Sequence, residues 1–244
     1  MIELRDVVVR FPLNTKKNVT THNDTDSNAD SNIRIVENSS YIYSLSNINL
    51  KLEQGDRVGL IGKNGAGKTT LLRVLSEILP PTSGEISING NVISILNLSA
   101  GLLMAASCSE NIRLKGLFFG FKKEKLEQYI KEVEQFSGLK EFLSQPVKSL
   151  SAGMKSRLII SMLKGLQTDI VIMDEWVNAA DKLVLGKQSL LKSIVNQSQV
   201  FVFASHREKL IKKFCNKTLV LEKGEVIFFG DTIEGLAIYN ALDA

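Results

Sequence analysis

The sequence predicts an α/β fold, a parallel sheet with helices between its strands and an antiparallel β edge near its start. Three observations carry this. The octet Gly62-Lys63-Asn64-Gly65-Ala66-Gly67-Lys68-Thr69 stands between an apolar run, Arg57 to Ile61, that reads as a strand and a periodic run, Thr70 to Leu75, that reads as a helix. Apolar strands return at 169–173, 199–204 and 217–222 with helical patterns between them, the rhythm of a parallel sheet. Strand-like runs at 2–9, 45–52, 57–61, 85–89 and 92–96 follow one another closely, which reads as a hairpin-rich antiparallel edge leading into the octet's strand.

In chain order, Ile2 to Val9 opens as a strand, without the basic start and apolar core of a signal peptide, so a cytosolic location is expected. Residues 14–40 hold seventeen Asn, Asp, Ser or Thr in twenty-seven positions, too few apolar groups to offset ordering entropy, and are expected to be a flexible insertion. Over 122–143 the residues Leu126, Ile130, Val133 and Phe136 share one face of an expected helix. A hairpin is expected at Glu222-Lys223-Gly224-Glu225, with a short amphipathic tail after it. The longest apolar stretches, such as Leu158 to Leu163, are too short to cross a bilayer. A net charge of +4 over 244 residues, with no concentrated basic stripe, argues against a nucleic-acid partner. Cys108 and Cys215 lack metal-ligand spacing and are expected to stay reduced.

The octet carries the chemistry. Its glycines let the backbone curl so that N–H groups point inward at an anion, and the helix behind adds the positive end of its dipole. Lys68 can reach the β- and γ-phosphates of a nucleoside triphosphate, and the Thr69 hydroxyl can hold Mg²⁺. A second element matches it. Ile170-Val171-Ile172-Met173 is an apolar strand ending in Asp174-Glu175, whose side chains diverge because a strand alternates. Asp174 is placed to complete a Mg²⁺ shell and Glu175 to polarise the attacking water. Ser151, before an apolar-periodic run, reads by itself as a helix cap.

Leu150-Ser151-Ala152-Gly153-Met154-Lys155 resembles the signature of the ATP-binding subunit of ABC transporters, Leu-Ser-Gly-Gly-Gln, with Ser151 and Gly153 matching and Ala152 and Met154 departing. The resemblance covers nearly the whole chain. It implies ATP and Mg²⁺ as cofactors, and an ATP-binding set of Gly62, Lys63, Asn64, Gly65, Ala66, Gly67, Lys68, Thr69, Thr70 and Phe11. Thr69 and Asp174 would hold the metal, and Lys68, Glu175 and His206 would form the catalytic set. Phe11 would stack on adenine, with Tyr41 and Tyr43 as competing candidates. Ser151, Ala152, Gly153 and Met154 would contact ATP held by a second copy, and Asp181, closing Asn178-Ala179-Ala180-Asp181, would tune that dimer. The usual Gln before the signature is missing from Leu96 to Leu102, after which Glu110-Asn111-Ile112 resumes the family pattern.

That segment, the Ser-x-Gly-Met signature and Asp174-Glu175-Trp176 resemble the branch that exports O-antigen, capsule or teichoic acid. The expectation is one ABC nucleotide-binding domain over 1–244, with a helical subdomain at about 98–165 inserted in the α/β core and no C-terminal glycan-binding domain. It would be an ATP-hydrolysing motor, paired with a second copy and a membrane permease docking near 99–120, peripheral on the cytoplasmic face of the inner membrane. No direct glycan binding is expected. An ABC ATPase for a lipid, peptide or drug, a soluble ABC ATPase and a regulatory subunit with weak turnover are the alternatives.

Overall fold

A computed structural model describes residues 1–13, 33–36, 39–96, 101–163, 168–174, 192 and 194–242. The strands are β1 (Ile2–Pro12), β2 (Ile33–Val36), β3 (Ser39–Leu52), β4 (Arg57–Ile61), β5 (Ser83–Ile88), β6 (Val92–Ile95), β7 (Ile170–Met173), β8 (Val200–Ala204), β9 (Lys217–Glu222) and β10 (Glu225–Asp231). The helices are α1 (Lys68–Leu75), α2 (Cys108–Phe118), α3 (Lys123–Ser137), α4 (Ala152–Met162), α5 (Glu208–Phe214) and α6 (Thr232–Leu242). They fall into two compact units, one made of 1–94, 170–174 and 199–244, the other of 95–169 and 175–198.

The first unit holds an antiparallel sheet in the order β2-β3-β1-β5 and a six-stranded sheet in the order β10-β9-β4-β8-β7-β6. β4 runs parallel to β8 and β9, and β7 runs parallel to β8. Every residue of β7 and β8 is buried, as an apolar run covered on both faces requires. The β9–β10 hairpin turns on Lys223 (φ 47°) and Gly224 (φ 80°), the two left-handed residues that match strand twist in a tight turn.

Three sequence expectations about these sheets change. The run 92–96 joins the six-stranded sheet beside β7 instead of the antiparallel edge, because Val-Ile-Ser-Ile specifies a strand but not its partner. The antiparallel sheet is built mainly from distant pairings of β1 with β3 and β5, so only β2–β3 is a local hairpin. Within 14–40, Ile33–Val36 pairs with β3 and Ser39-Ser40 open β3, which corrects the flexible-insertion reading at those positions. The apolar Ile33-Arg34-Ile35-Val36 closes a polar run whose average concealed it; residues 14–32 and 37–38 lie outside the described residues.

The second unit packs α2, α3 and α4 around Ile112, Leu126, Tyr129, Val133, Leu150 and Leu158. The Tyr129 hydroxyl donates to the Met162 carbonyl at 2.7 Å, tying α3 to the end of α4. Tyr129, seven residues before Phe136 on the same side of α3, is buried in this core, whereas Phe136, two residues from the Gly138 end of the helix, is 40% exposed. Gly138 (φ 62°) ends α3, so the expected helix to 143 continues only as a 3-10 turn over Lys140–Phe142.

Candidate nucleotide site

Parallel pairing sets the site. Leu60 lies opposite Ala204 and Met173 opposite Phe203, so β4, β8 and β7 end along one edge of the sheet. The octet follows β4, Asp174 follows β7, and Ser205-His206 follow β8. Ligand sites of open α/β sheets form outside such carboxyl ends.

Two glycines of the octet cannot be replaced by larger residues. A Cβ on Gly62 would overlap the Leu221 carbonyl oxygen, and one on Gly67 (φ 101°) would overlap the Ser44 carbonyl oxygen. Gly67 caps α1 without a side-chain hydrogen bond, and the first turn of α1 carries no acid. Its N–H groups and dipole therefore face an anion with nothing of the helix's own in the way. Lys68 Nζ donates to the Gly62 carbonyl at 2.6 Å and the Lys63 carbonyl at 2.9 Å, which holds the ammonium against the loop. The Gly224 N–H donates to the Ala66 carbonyl at 3.0 Å, and the Gly224 carbonyl accepts from Ser46 N–H at 2.8 Å. The loop is thus braced by the β9–β10 turn and, through it, by β3. Lys63 Nζ also donates to the Leu242 carbonyl at 3.0 Å, reaching the end of α6.

Thr69 is exposed, Asp174 is half-buried at the end of β7, and His206 is exposed. The buried Ser205 accepts from Arg207 N–H at 3.1 Å, which shapes the turn carrying His206. A hydroxyl and a carboxylate are hard oxygen donors of the kind Mg²⁺ takes, so Thr69 and Asp174 fit that ion by chemistry.

The aromatic candidates separate. Phe11 is 42% exposed and pairs across β1–β3 with Ile42, itself 38% exposed. Further along β3, opposite the register shift between Val9 and Arg10, Ser44 bonds Thr70 of α1, so this stretch of β3 runs beside the octet's helix. Tyr41 and Tyr43 are engaged by Arg10, whose guanidinium lies 4.5 Å over the Tyr41 ring and donates to the Tyr43 hydroxyl at 3.4 Å. Gly224 is legible in the sequence only as a hairpin residue and Ser44 only as part of a strand, because their contacts with the loop depend on pairings far along the chain.

In the second unit Ser151 caps α4, its hydroxyl accepting from Met154 N–H at 3.3 Å. Ala152 is exposed, while Gly153 and Met154 are half-buried. Glu110-Asn111 has a structural role. Glu110 and Ser107 form a reciprocal cap on α2, and the buried Asn111 side chain binds the Leu103 N–H and the Leu103 and Ser107 carbonyls at 2.8–3.0 Å. Glu175, Trp176, Asn178 to Asp181 and Asn97 to Ala100 lie outside the described residues. Burial raises both thiols, Cys215 to about 12, which makes them inert at neutral pH.

Residues 45–178, more than half of the chain, match the model of the ABC transporter family. The teichoic acids export ATP-binding protein TagH of Shouchella clausii is 38% identical over 81% of this chain and 55% of its own length. The O-antigen export system ATP-binding protein RfbE of Yersinia enterocolitica is 39% identical over 75% of this chain and 77% of its own. The chain spans only 37% and 36% of the TagH proteins of Bacillus cereus and Bacillus anthracis. Among solved structures, a dimeric ATP-binding cassette in a post-hydrolysis state with ADP and Pi superposes with TM-score 0.71 at 19% identity, covering 95% of this chain and 99% of that one. An ATP-binding subunit of an ABC transporter gives 0.72 at 20% identity, covering 100% and 95%, so the fold is that of these cassettes. With a braced phosphate loop at the sheet edge and this family match, the chain belongs to the ABC transporter family.

Proposed function

We propose that this chain is the ATP-hydrolysing motor subunit of an exporter that moves lipid-linked surface polysaccharide across the cytoplasmic membrane. The observation that carries the ATPase reading is the shared edge of β4, β7 and β8, which gathers the octet, Asp174 and His206. The cargo reading rests on the likeness to teichoic acid and O-antigen export ATP-binding proteins.

Lys68 and the open N–H groups of α1 hold the phosphates, and Phe11 with Ile42 forms the platform for adenine. Thr69 and Asp174 hold Mg²⁺, which neutralises charge on the phosphates when bound. Glu175 orients and deprotonates the attacking water, and His206 donates to the γ-phosphate. Residues 1–244 act as one nucleotide-binding domain, the stretch about 98–165 being its helical subdomain. Two copies close on ATP, the Ser151-Ala152-Gly153-Met154 segment of each completing the other's site, with Asp181 at the contact. ATP favours closure because it binds both faces, and hydrolysis removes that bridge. A membrane permease docking near 99–120 turns closure into transport and keeps the subunit peripheral at the inner face of the membrane.

The test is Glu175→Gln in the native host, comparing polysaccharide on the surface with lipid-linked glycan inside. Loss outside with accumulation inside is expected. An unchanged envelope would overturn the polysaccharide reading and leave an ABC ATPase for another cargo.

A further inference from the structure

We infer that Ser44 is a positioning residue of the nucleotide site, directing the Thr70 hydroxyl at a phosphoryl oxygen of the bound nucleotide. This rests on the nucleotide reading above. The Ser44 and Thr70 hydroxyl oxygens lie 2.6 Å apart, joining β3 to the first turn of α1 across 26 residues of sequence. Each hydroxyl carries one proton, and a single hydrogen bond between them uses only one. Among the described residues neither hydroxyl has a second partner, so one proton of the pair is unspent. The ordinary outlet for a helical threonine is the carbonyl four residues back, and here the Thr70 hydroxyl turns to Ser44 instead of to the Ala66 carbonyl.

Ser44 is held firmly enough to impose a direction. Its carbonyl oxygen is wedged between two glycines: a Cβ on Gly224 would lie 2.8 Å from it, and a Cβ on Gly67 closer still. Both glycines belong to the brace around the octet, so Ser44 cannot move without moving the phosphate loop. If Ser44 donates, Thr70 keeps its proton at the open N-terminus of α1, two residues past Lys68, where the anion would lie. The proton stays with Thr70 when nucleotide binds; only its acceptor changes, from solvent to a phosphoryl oxygen.

The experiment measures affinity for ADP and, by competition, for adenosine, in the full chain and in Ser44→Ala, Ser44→Thr, Thr70→Val and the double variant Ser44→Ala/Thr70→Val. Ser44→Ala is expected to weaken ADP about tenfold, the lower end of one hydrogen bond to a charged group, with adenosine unchanged. Ser44→Thr keeps the hydroxyl and should bind ADP within about twofold of the parent chain. Ser44→Ala added to Thr70→Val should cost nothing further, because Ser44 acts through Thr70. Unchanged ADP affinity in Ser44→Ala, or additive losses in the double variant, overturns the inference alone. Equal losses for adenosine and ADP also overturn it, since they mark a loosened β3. Failure of the parent chain to bind ADP or ATP would overturn the nucleotide reading and this inference with it.

Discussion

Three helices of this protein begin with their first-turn N–H groups in three different conditions. α1 starts behind Gly67 with no side-chain cap and no acid in its first turn. α4 starts behind Ser151, whose hydroxyl already accepts from Met154 N–H. α2 starts behind a full capping box, Ser107 with Glu110, which satisfies its own donors and adds a negative charge. The series runs from open through partly closed to closed. Only α1 leaves both donors and dipole to an outside anion, and it does so at the expense of a stabilising cap. α3 and α5 also start without a side-chain cap, but each carries an acid in its first turn, Glu124 or Glu208, which answers the dipole that α1 leaves open. α4 lies between: one donor is satisfied, while the exposed Ala152 and the small Gly153 leave its start accessible.

The sharpest way to break this comparison is at the open end. Lys68→Ala should lower ATP turnover at least about a hundredfold, since in the proposed function it removes the fixed charge facing the transferring phosphate. A phosphate-release assay checks this, and turnover within tenfold of the parent would place the phosphates elsewhere. Gly67→Ala tests why the end is uncapped. It puts a side chain at φ 101° and against the Ser44 carbonyl, so unfolding stability should fall by about 2 kcal/mol or more and ADP binding should be lost. Denaturant titration with and without ADP measures both.

Ser151→Ala probes the intermediate case. Uncapping Met154 N–H should cost about 1 kcal/mol of stability. It should also lower ATP turnover while leaving the ADP affinity of the isolated chain intact, because in the proposed function its anion belongs to a second copy. A matching loss of ADP affinity would contradict that division. The smallest functional effect is expected at the closed end. Ser107→Ala should cost about 1 kcal/mol of stability and leave nucleotide affinity and turnover unchanged.

Acid should expose the same cap. The Ser107 hydroxyl, then its backbone N–H, hold Glu110 below its ordinary value of 4.5. A depressed carboxylate stabilises the fold above its unfolded value, and that contribution is lost as pH falls through the lower folded value. The gap between the parent chain and Ser107→Ala should therefore narrow in acid without closing, because the Glu110 N–H still donates to the Ser107 hydroxyl when the carboxyl is protonated. A constant gap down to pH about 2 would mean that Glu110 contributes nothing through its charge.

Much of this could be read along the chain, because local patterns encode local structure. The buried runs at 170–173, 200–204 and 217–222 are continuous apolar segments, and the turn at Lys223-Gly224 is written in residues that accept positive φ. Phe136 and the end of α3 were less legible. Periodicity gives a residue's side of the helix but not how deep the core reaches along it, and Gly138 stops the helix before residue 143. Ile33–Val36 was hidden by its polar neighbours, and the destination of β6 by its ordinary strand composition.

By itself, then, the sequence determined the phosphate loop, the strand that ends at Asp174, the cap at Ser151 and the family they announce. These depend on residues adjacent in the chain, where backbone freedom, side-chain alternation and capping act over a few positions. Only the tertiary structure decided what surrounds the loop. The Ser44 hydroxyl reaches Thr70, Gly224 props Ala66, and Arg10 engages Tyr41 and Tyr43 while Phe11 stays accessible beside Ile42. Those contacts join strands and turns far apart in sequence, and their geometry follows from sheet order and register, which no local pattern specifies.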